Sequence, residues 1–196
     1  MAMIITTINA KGGVGKTTST IFLATVFAQR GIPVTVTDLD RQGSALDWAE
    51  RAEDGGDPLP FNVELSIPKR VDRQAALVAD NEMMFIDVPP GDENAIEAAI
   101  AVSDFIIMPT HSAAADLSRV WELRDAVGGT PHAVLLTFAR KGTSALEAAR
   151  EARLKPRTCR TLKRRSRCAR ICTLPLATAP APTCIVTTRC PTRLWR

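Results

Sequence analysis

Apolar positions along the first 150 residues follow two alternating periods. Short runs rich in apolar and β-branched residues at 3–8, 33–38, 61–66, 83–87, 105–108 and 133–137 read as strands. Segments with longer spacing between them, at 19–30, 45–51, 71–79, 93–102, 115–127 and 143–150, read as helices. Ser44 is placed to cap the second of these. Strict alternation of the two element types predicts an α/β, doubly wound, mostly parallel sheet with helices on both faces. Beyond residue 151 the periodicity stops, so the C-terminal tail is expected to be irregular.

One loop interrupts the pattern with chemistry. Lys11-Gly12-Gly13-Val14-Gly15-Lys16-Thr17-Thr18 lies between the first apolar run and the first helix. Glycines without Cβ atoms let such a loop turn sharply and aim backbone N–H groups inward at an anion, and the helix start adds its positive dipole end. The ligand that suits this is a polyphosphate, with Lys16 on the β- and γ-phosphates and the Thr17 hydroxyl on Mg²⁺. A loop that merely turns the chain is the plainer alternative. Carboxylates gather at the ends of later strands, where open α/β sheets bind ligands: Asp38 and Asp40 after the second run, Asp87 after the fourth. An acid closing a buried strand is costly without a cation or hydrogen bonds. A Mg²⁺ shell accounts for Asp87, and a cap on the next helix is the competing account. A solvated turn competes in the same way for Asp38 and Asp40.

The common loop pattern G-x-x-x-x-G-K-[ST] fails at Ala10. The stretch from Asn9 to Thr18, with its extra lysine, instead resembles the deviant Walker A loop of the ParA/MinD family of ATPases. That resemblance implies ATP and Mg²⁺ as cofactors, held by Gly12, Gly13, Val14, Gly15, Lys16, Thr17 and Thr18. It gives Lys11 a role across a sandwich dimer, on the partner's phosphates. Asp38-Leu39-Asp40 resembles the family's first switch, in which Asp40 positions or activates the attacking water, although Arg41 replaces the usual proline. Asp87-Val88-Pro89-Pro90-Gly91 resembles its Walker B and second switch, so the metal set implied is Thr17, Asp38 and Asp87. Pro109 and Asp116 match an element near the nucleotide base, where His111 and Ser112 depart from the more usual residues. His111 reads as a surface residue and His132 as a structural one.

The resemblance covers about residues 1–150 and is closest to small ParA plasmid-partition proteins. It implies an ATP-dependent homodimer that binds DNA non-specifically, released when a ParB-like or other centromere-binding protein stimulates slow hydrolysis. A cytoplasmic, nucleoid-associated location follows, with no membrane partner; the run at 3–8 is too short for a signal peptide's apolar region, and no apolar run approaches membrane-spanning length. A MinD-like membrane-associated ATPase and a truncated product without function are the rival expectations. Electron-transfer relatives with the same loop hold iron–sulfur clusters on cysteines, and residues 1–151 contain none.

Charge divides the chain as sharply as periodicity does. Residues 1–151 carry 13 Lys/Arg against 21 Asp/Glu, a net of −8, whereas residues 152–196 carry 12 Lys/Arg and no acid. All five cysteines lie in the tail. The acidic part does not advertise DNA binding, though Lys69, Arg70, Arg73, Arg140 and Lys141 could form a local patch. The domains expected are therefore 1–151, an ATPase unit, and 152–196, a basic tail. The tail has three readings: a nucleic-acid arm, a metal site on Cys168, Cys172, Cys184 and Cys190, or out-of-frame sequence. The third is favoured, because residues 162–177 back-translated in a shifted frame yield Ala-Glu-Ala-Ala-Val-Pro-Leu-Arg-Ala-Asp-Leu-His-Ala-Ala-Phe-Gly, which resembles the family's late segment.

Overall fold

All six apolar runs become strands of one sheet in the computed structural model, which describes residues 2–139, 142–144, 148 and 184–187. They are β1 (Met3–Thr7), β2 (Val34–Asp38), β3 (Asn62–Leu65), β4 (Met83–Asp87), β5 (Phe105–Thr110) and β6 (His132–Leu136). A further strand, β7 (Cys184–Thr187), joins from the tail. The order is β3-β2-β4-β1-β5-β6-β7, and every pairing is parallel. Parallel neighbours need crossover connections. These are supplied by α1 (Lys16–Ala28), α2 (Ser44–Asp54), a 3-10 turn at Pro68–Arg70 leading into α3 (Val71–Ala75), α4 (Glu93–Val102) and α5 (Ala114–Val127).

Successive strand residues point to opposite faces, so the sheet feeds two apolar layers. Ile4, Met84, Ile86, Ile106 and Met108 pack with Ala95, Ile96 and Ala99 of α4 and Leu117 and Val120 of α5. Ile5, Met83, Phe85, Val36 and Ile107 pack with Ile21 and Ala24 of α1 on the other face. The doubly wound arrangement expected from the alternation is what forms.

The differences have local causes. The first helix begins at Lys16, inside the glycine loop, and is not amphipathic, because the sheet covers one side while Phe22 meets Trp48 of α2 edge-on at 6.0 Å on another. Gly43, in a left-handed conformation, is the N-cap of α2, so Ser44 is its first residue rather than its cap. The third helix ends at Ala75, after which Leu77 and Val78 bond three residues back to Gln74 and Ala75 and the chain winds down as a turn. Pro109 belongs to β5 instead of following it. The irregular tail gains one strand: Cys184-Ile185-Val186-Thr187 is apolar and β-branched, and its pairing covers the open edge of β6. The remainder of the tail, the expected helix at 143–150 except for Thr143, Ser144 and Ala148, and Arg140 and Lys141 lie outside the described residues.

Candidate nucleotide site

The crevice falls where the sheet order predicts it. β1 pairs with β4 on one side and β5 on the other, and the connections on the two sides run in opposite directions. The glycine loop leaves the carboxyl end of β1 at this point. Gly13 and Gly15 have φ of 72° and 86°, a region where any Cβ would be strained. Gly15 is the N-cap of α1 and no side chain caps that helix, which leaves the first-turn N–H groups, Lys16 to Thr18, pointing out of the helix end.

Buried contacts hold the loop in shape from the β5–β6 side. Val14 is fully buried, and its carbonyl accepts a 2.8 Å hydrogen bond from the Thr137 hydroxyl. Asn9 donates through Nδ2 to the Pro109 carbonyl at 2.7 Å and accepts through Oδ1 from the Lys11 N–H at 2.9 Å. Pro109 thus frames the loop through its backbone. Across the loop, Gly12 faces Pro90, whose Cγ would lie 3.9 Å from an added Cβ.

The two lysines go different ways. Lys16 is buried, and its ammonium donates to the Lys11 carbonyl at 2.9 Å. Burial pulls its pKa below the usual lysine value, with the charges of Asp87 and Asp40 opposing. Lys11 turns outward to Asp116, 2.6 Å away, with its side chain 43% exposed. His111 stands on the other Asp116 oxygen, Nδ1 to Oδ2 at 3.5 Å, and is half-buried rather than a surface residue. His132 is structural as expected: it is buried and its Nδ1 lies 2.9 Å from the Thr130 carbonyl.

On the β2–β4 side the carboxylates meet in register, Asp38 opposite Asp87 and Thr7 opposite Asp87. The Thr17 hydroxyl donates to Asp87 Oδ2 at 2.6 Å. Thr7 and Thr20 bond to each other and approach Asp87 Oδ1 at 3.4 and 3.5 Å. Burial pushes the Asp87 carboxyl up to about 7, against the pull of the Thr17 bond. Asp87 caps no helix; α4 is capped by Asp92, whose Oδ1 accepts from the Ala95 N–H at 3.0 Å. Asp38 accepts from the Asp40 N–H at 2.9 Å and the Ala45 N–H at 2.8 Å, so both its oxygens shape the turn into α2. Burial raises its pKa as well. Asp40 is half-buried and accepts from the Gln42 N–H at 2.9 Å.

Thr17 and Asp87 fit Mg²⁺. A hydroxyl and a carboxylate oxygen 2.6 Å apart are hard donors of the kind Mg²⁺ accepts when phosphates and water complete its shell. A carboxyl that burial holds near neutrality is also one that a cation would ionise. Among the described residues no group of three or more His, Cys, Asp or Glu is arranged to hold a metal, so an ion here depends on the hydroxyl and on ligand oxygens. The bound ion would supply charge for a polyphosphate; Thr17 and Asp87 would hold it.

Sequence reasoning did not single out Thr7, Thr20 or Thr137. Thr7 carries a signal of its own: a hydroxyl in the last position of an otherwise buried strand needs a partner. Lys69, Arg70 and Arg73 are exposed, on the 3-10 turn and α3 that follow β3.

Known proteins with this architecture include a plasmid partition protein from Borrelia burgdorferi, with a TM-score of 0.65 and 18% identity over 79% of this chain and 86% of that one. The structure of pNOB8 ParA bound to nonspecific DNA gives a TM-score of 0.60 at 18% identity, over 78% of this chain and 74% of that one. The maintenance of carboxysome distribution protein A of Gloeobacter kilaueensis is 36% identical over 138 residues, which make up 68% of this chain. The chain spans 62% of that relative's length. The model of the CbiA family, described as the CobQ/CobB/MinD/ParA nucleotide binding domain, matches residues 5–171. The chain therefore belongs to the CobQ/CobB/MinD/ParA family of nucleotide-binding domains.

Proposed function

We propose that this chain is a slow, Mg²⁺-dependent ATPase of the ParA type, whose ATP-bound dimer holds DNA without sequence preference. The observation that carries the reading is the division of labour between the loop lysines. Lys16 is buried and turned into the loop, where it would meet the β- and γ-phosphates of its own nucleotide. Lys11 stands partly exposed on Asp116, where it would meet a second subunit's phosphates. Thr17 and Asp87 would hold the ion and Asp40 would orient the attacking water; Asp38, expected among the metal ligands, has both oxygens on backbone N–H groups and would instead fix the switch turn.

Residues 1–151 form the ATPase unit in this reading, and 152–196 is sequence read out of frame. The DNA-bound state of pNOB8 ParA supports DNA as the surface on which the dimer works. A ParB-like or other centromere-binding protein would trigger hydrolysis and release, and the likeness to a carboxysome-distribution protein extends the possible cargo beyond plasmids. The cycle takes place in the cytoplasm, on the nucleoid; no helix among the described residues is long and apolar enough to cross a membrane.

Sedimentation with and without ATP tests it. The parent should dimerise only with ATP, and Lys11→Ala should bind ATP yet stay monomeric. Asp40→Ala should dimerise and hydrolyse on the order of 10²-fold more slowly. Dimerisation by Lys11→Ala equal to the parent's would remove the sandwich dimer from the proposal.

A further inference from the structure

We propose that Phe138, braced edgewise by His111, forms an aromatic shelf on which the nucleobase of the bound nucleotide stacks, an inference that rests on the phosphate-loop reading above. β5 and β6 end side by side, and Thr137 pins the chain leaving β6 to the loop: its N–H donates to the Thr110 carbonyl and its hydroxyl to the Val14 carbonyl, each at 2.8 Å. The next residue, Phe138, has φ of 51°, the only positive value at a non-glycine among the described residues. Glycine or asparagine would make this turn with less strain and no exposed ring. Here the turn carries a phenylalanine that is 74% exposed.

The ring's position gives the strain a use. Phe138 Cε2 lies 3.8 Å from where a Gly15 Cβ would stand, beside the N-cap of α1. His111 meets the ring at 5.3 Å and 84°, an edge contact that takes up at most one of its two faces. A nucleotide with its terminal phosphates on Lys16 must carry its ribose and base outward past this helix end. On the β2 side the way is occupied by Asp38 and Asp40, which have the hydrolytic roles proposed above. On the β5–β6 side it meets the shelf.

The side chains that could read the base edge there are mostly committed. Asn9 serves Pro109 and Lys11, Thr137 serves Val14, and Asp116 serves Lys11. His111 Nε2 is buried without a partner. The base is therefore held chiefly through its π-face, a contact that every nucleobase offers.

Titrating the full chain with ATP and with inorganic tripolyphosphate, which has no base, separates the shelf from the loop. Phe138→Ala should weaken ATP on the order of ten-fold and leave tripolyphosphate unchanged. Phe138→Trp should keep parental ATP affinity. Parental ATP affinity in Phe138→Ala, an equal loss for both ligands, or a Phe138→Trp no better than the alanine variant would each overturn the shelf. Lys16→Ala checks the underlying reading independently: it should lose both ligands, and keeping both would sink the phosphate loop whatever Phe138 does.

Discussion

Two buried aspartates flank the same loop, and their surroundings could hardly differ more. Asp116 sits on the β5 side with a lysine 2.6 Å away and a histidine at 3.5 Å. Asp87 sits on the β4 side, where its near neighbours are the hydroxyls of Thr17, Thr7 and Thr20. The first carboxylate is neutralised by a permanent cation of the chain. The second has hydroxyls as its nearest partners and feels the Lys16 charge only as a weaker pull than burial, which lifts it to about 7. A carboxylate that the fold keeps for its own stability brings its countercharge with it, as Asp116 does. One that the fold leaves to hydroxyls is open to a countercharge from outside, and the Mg²⁺ role proposed for Asp87 rests on that contrast.

The largest expected effect tests the Asp87 half. Its carboxyl moves from 3.8 in the unfolded chain to about 7 in the folded one, so the folded protein keeps the proton where the unfolded chain has lost it. Stability from this group is greatest below 3.8, declines as pH rises between the two values, and is lost above about 7. The shift corresponds to about 4 kcal/mol at alkaline pH. Asp87→Asn, neutral at every pH, should therefore be more stable than the parent at pH 8 in chelator by up to that amount, with the gain shrinking toward pH 4. Urea melts at both pH values check it; a gain independent of pH would mean that Asp87 is not held near neutrality.

Lys16→Ala comes next. It removes a buried cation whose present partner is a loop carbonyl and whose intended one is a phosphate, a charged hydrogen bond of about 3 kcal/mol. ATP affinity should fall on the order of 100-fold. Melting temperature without nucleotide should rise slightly or hold, because burial of that ammonium is itself a cost. A fluorescent ATP analogue and a thermal melt on the same sample decide both points.

The same contrast separates what the sequence discloses from what it withholds. Asp87 was legible because it ends an apolar run, and a charge in that position requires an explanation. The glycine loop was legible because Gly13 and Gly15 stand where the turn needs φ near 72° and 86°. Asp116 gave no such signal of its pairing, since Lys11 lies 105 residues away and only the pairing of β1 with β5 brings them together. Ser44 was read as a cap because its hydroxyl suits the task, but Gly43 has the left-handed backbone that the turn after Asp40 imposes. The apolar run stops at Met108, yet β5 continues through Pro109, its penultimate residue. The fold as a whole depends on periodicity, which sequence carries directly. The pairing of Asp116, the threonine cluster and Phe138 depend on distances between elements, which it does not.

The smallest expected effect concerns Asp116. Its bond to Lys11 is short, but the lysine is 43% exposed, and pairs so open to water contribute about 1 kcal/mol or less. Asp116→Asn should accordingly lower stability by no more than that and shift the melting temperature by a few degrees. Its second consequence runs the other way. If Lys11 has to leave Asp116 to reach a partner's phosphates, the bond opposes dimerisation by the same 1 kcal/mol, and loosening it should let the dimer form at a several-fold lower protein concentration. Added salt should narrow the gap between variant and parent, since an exposed pair is screened. Sedimentation across a protein titration at fixed ATP would read the shift. A less stable variant that dimerises no more readily would make the Lys11–Asp116 pair purely structural, and Lys11 would then stand to Asp116 as the threonines stand to Asp87.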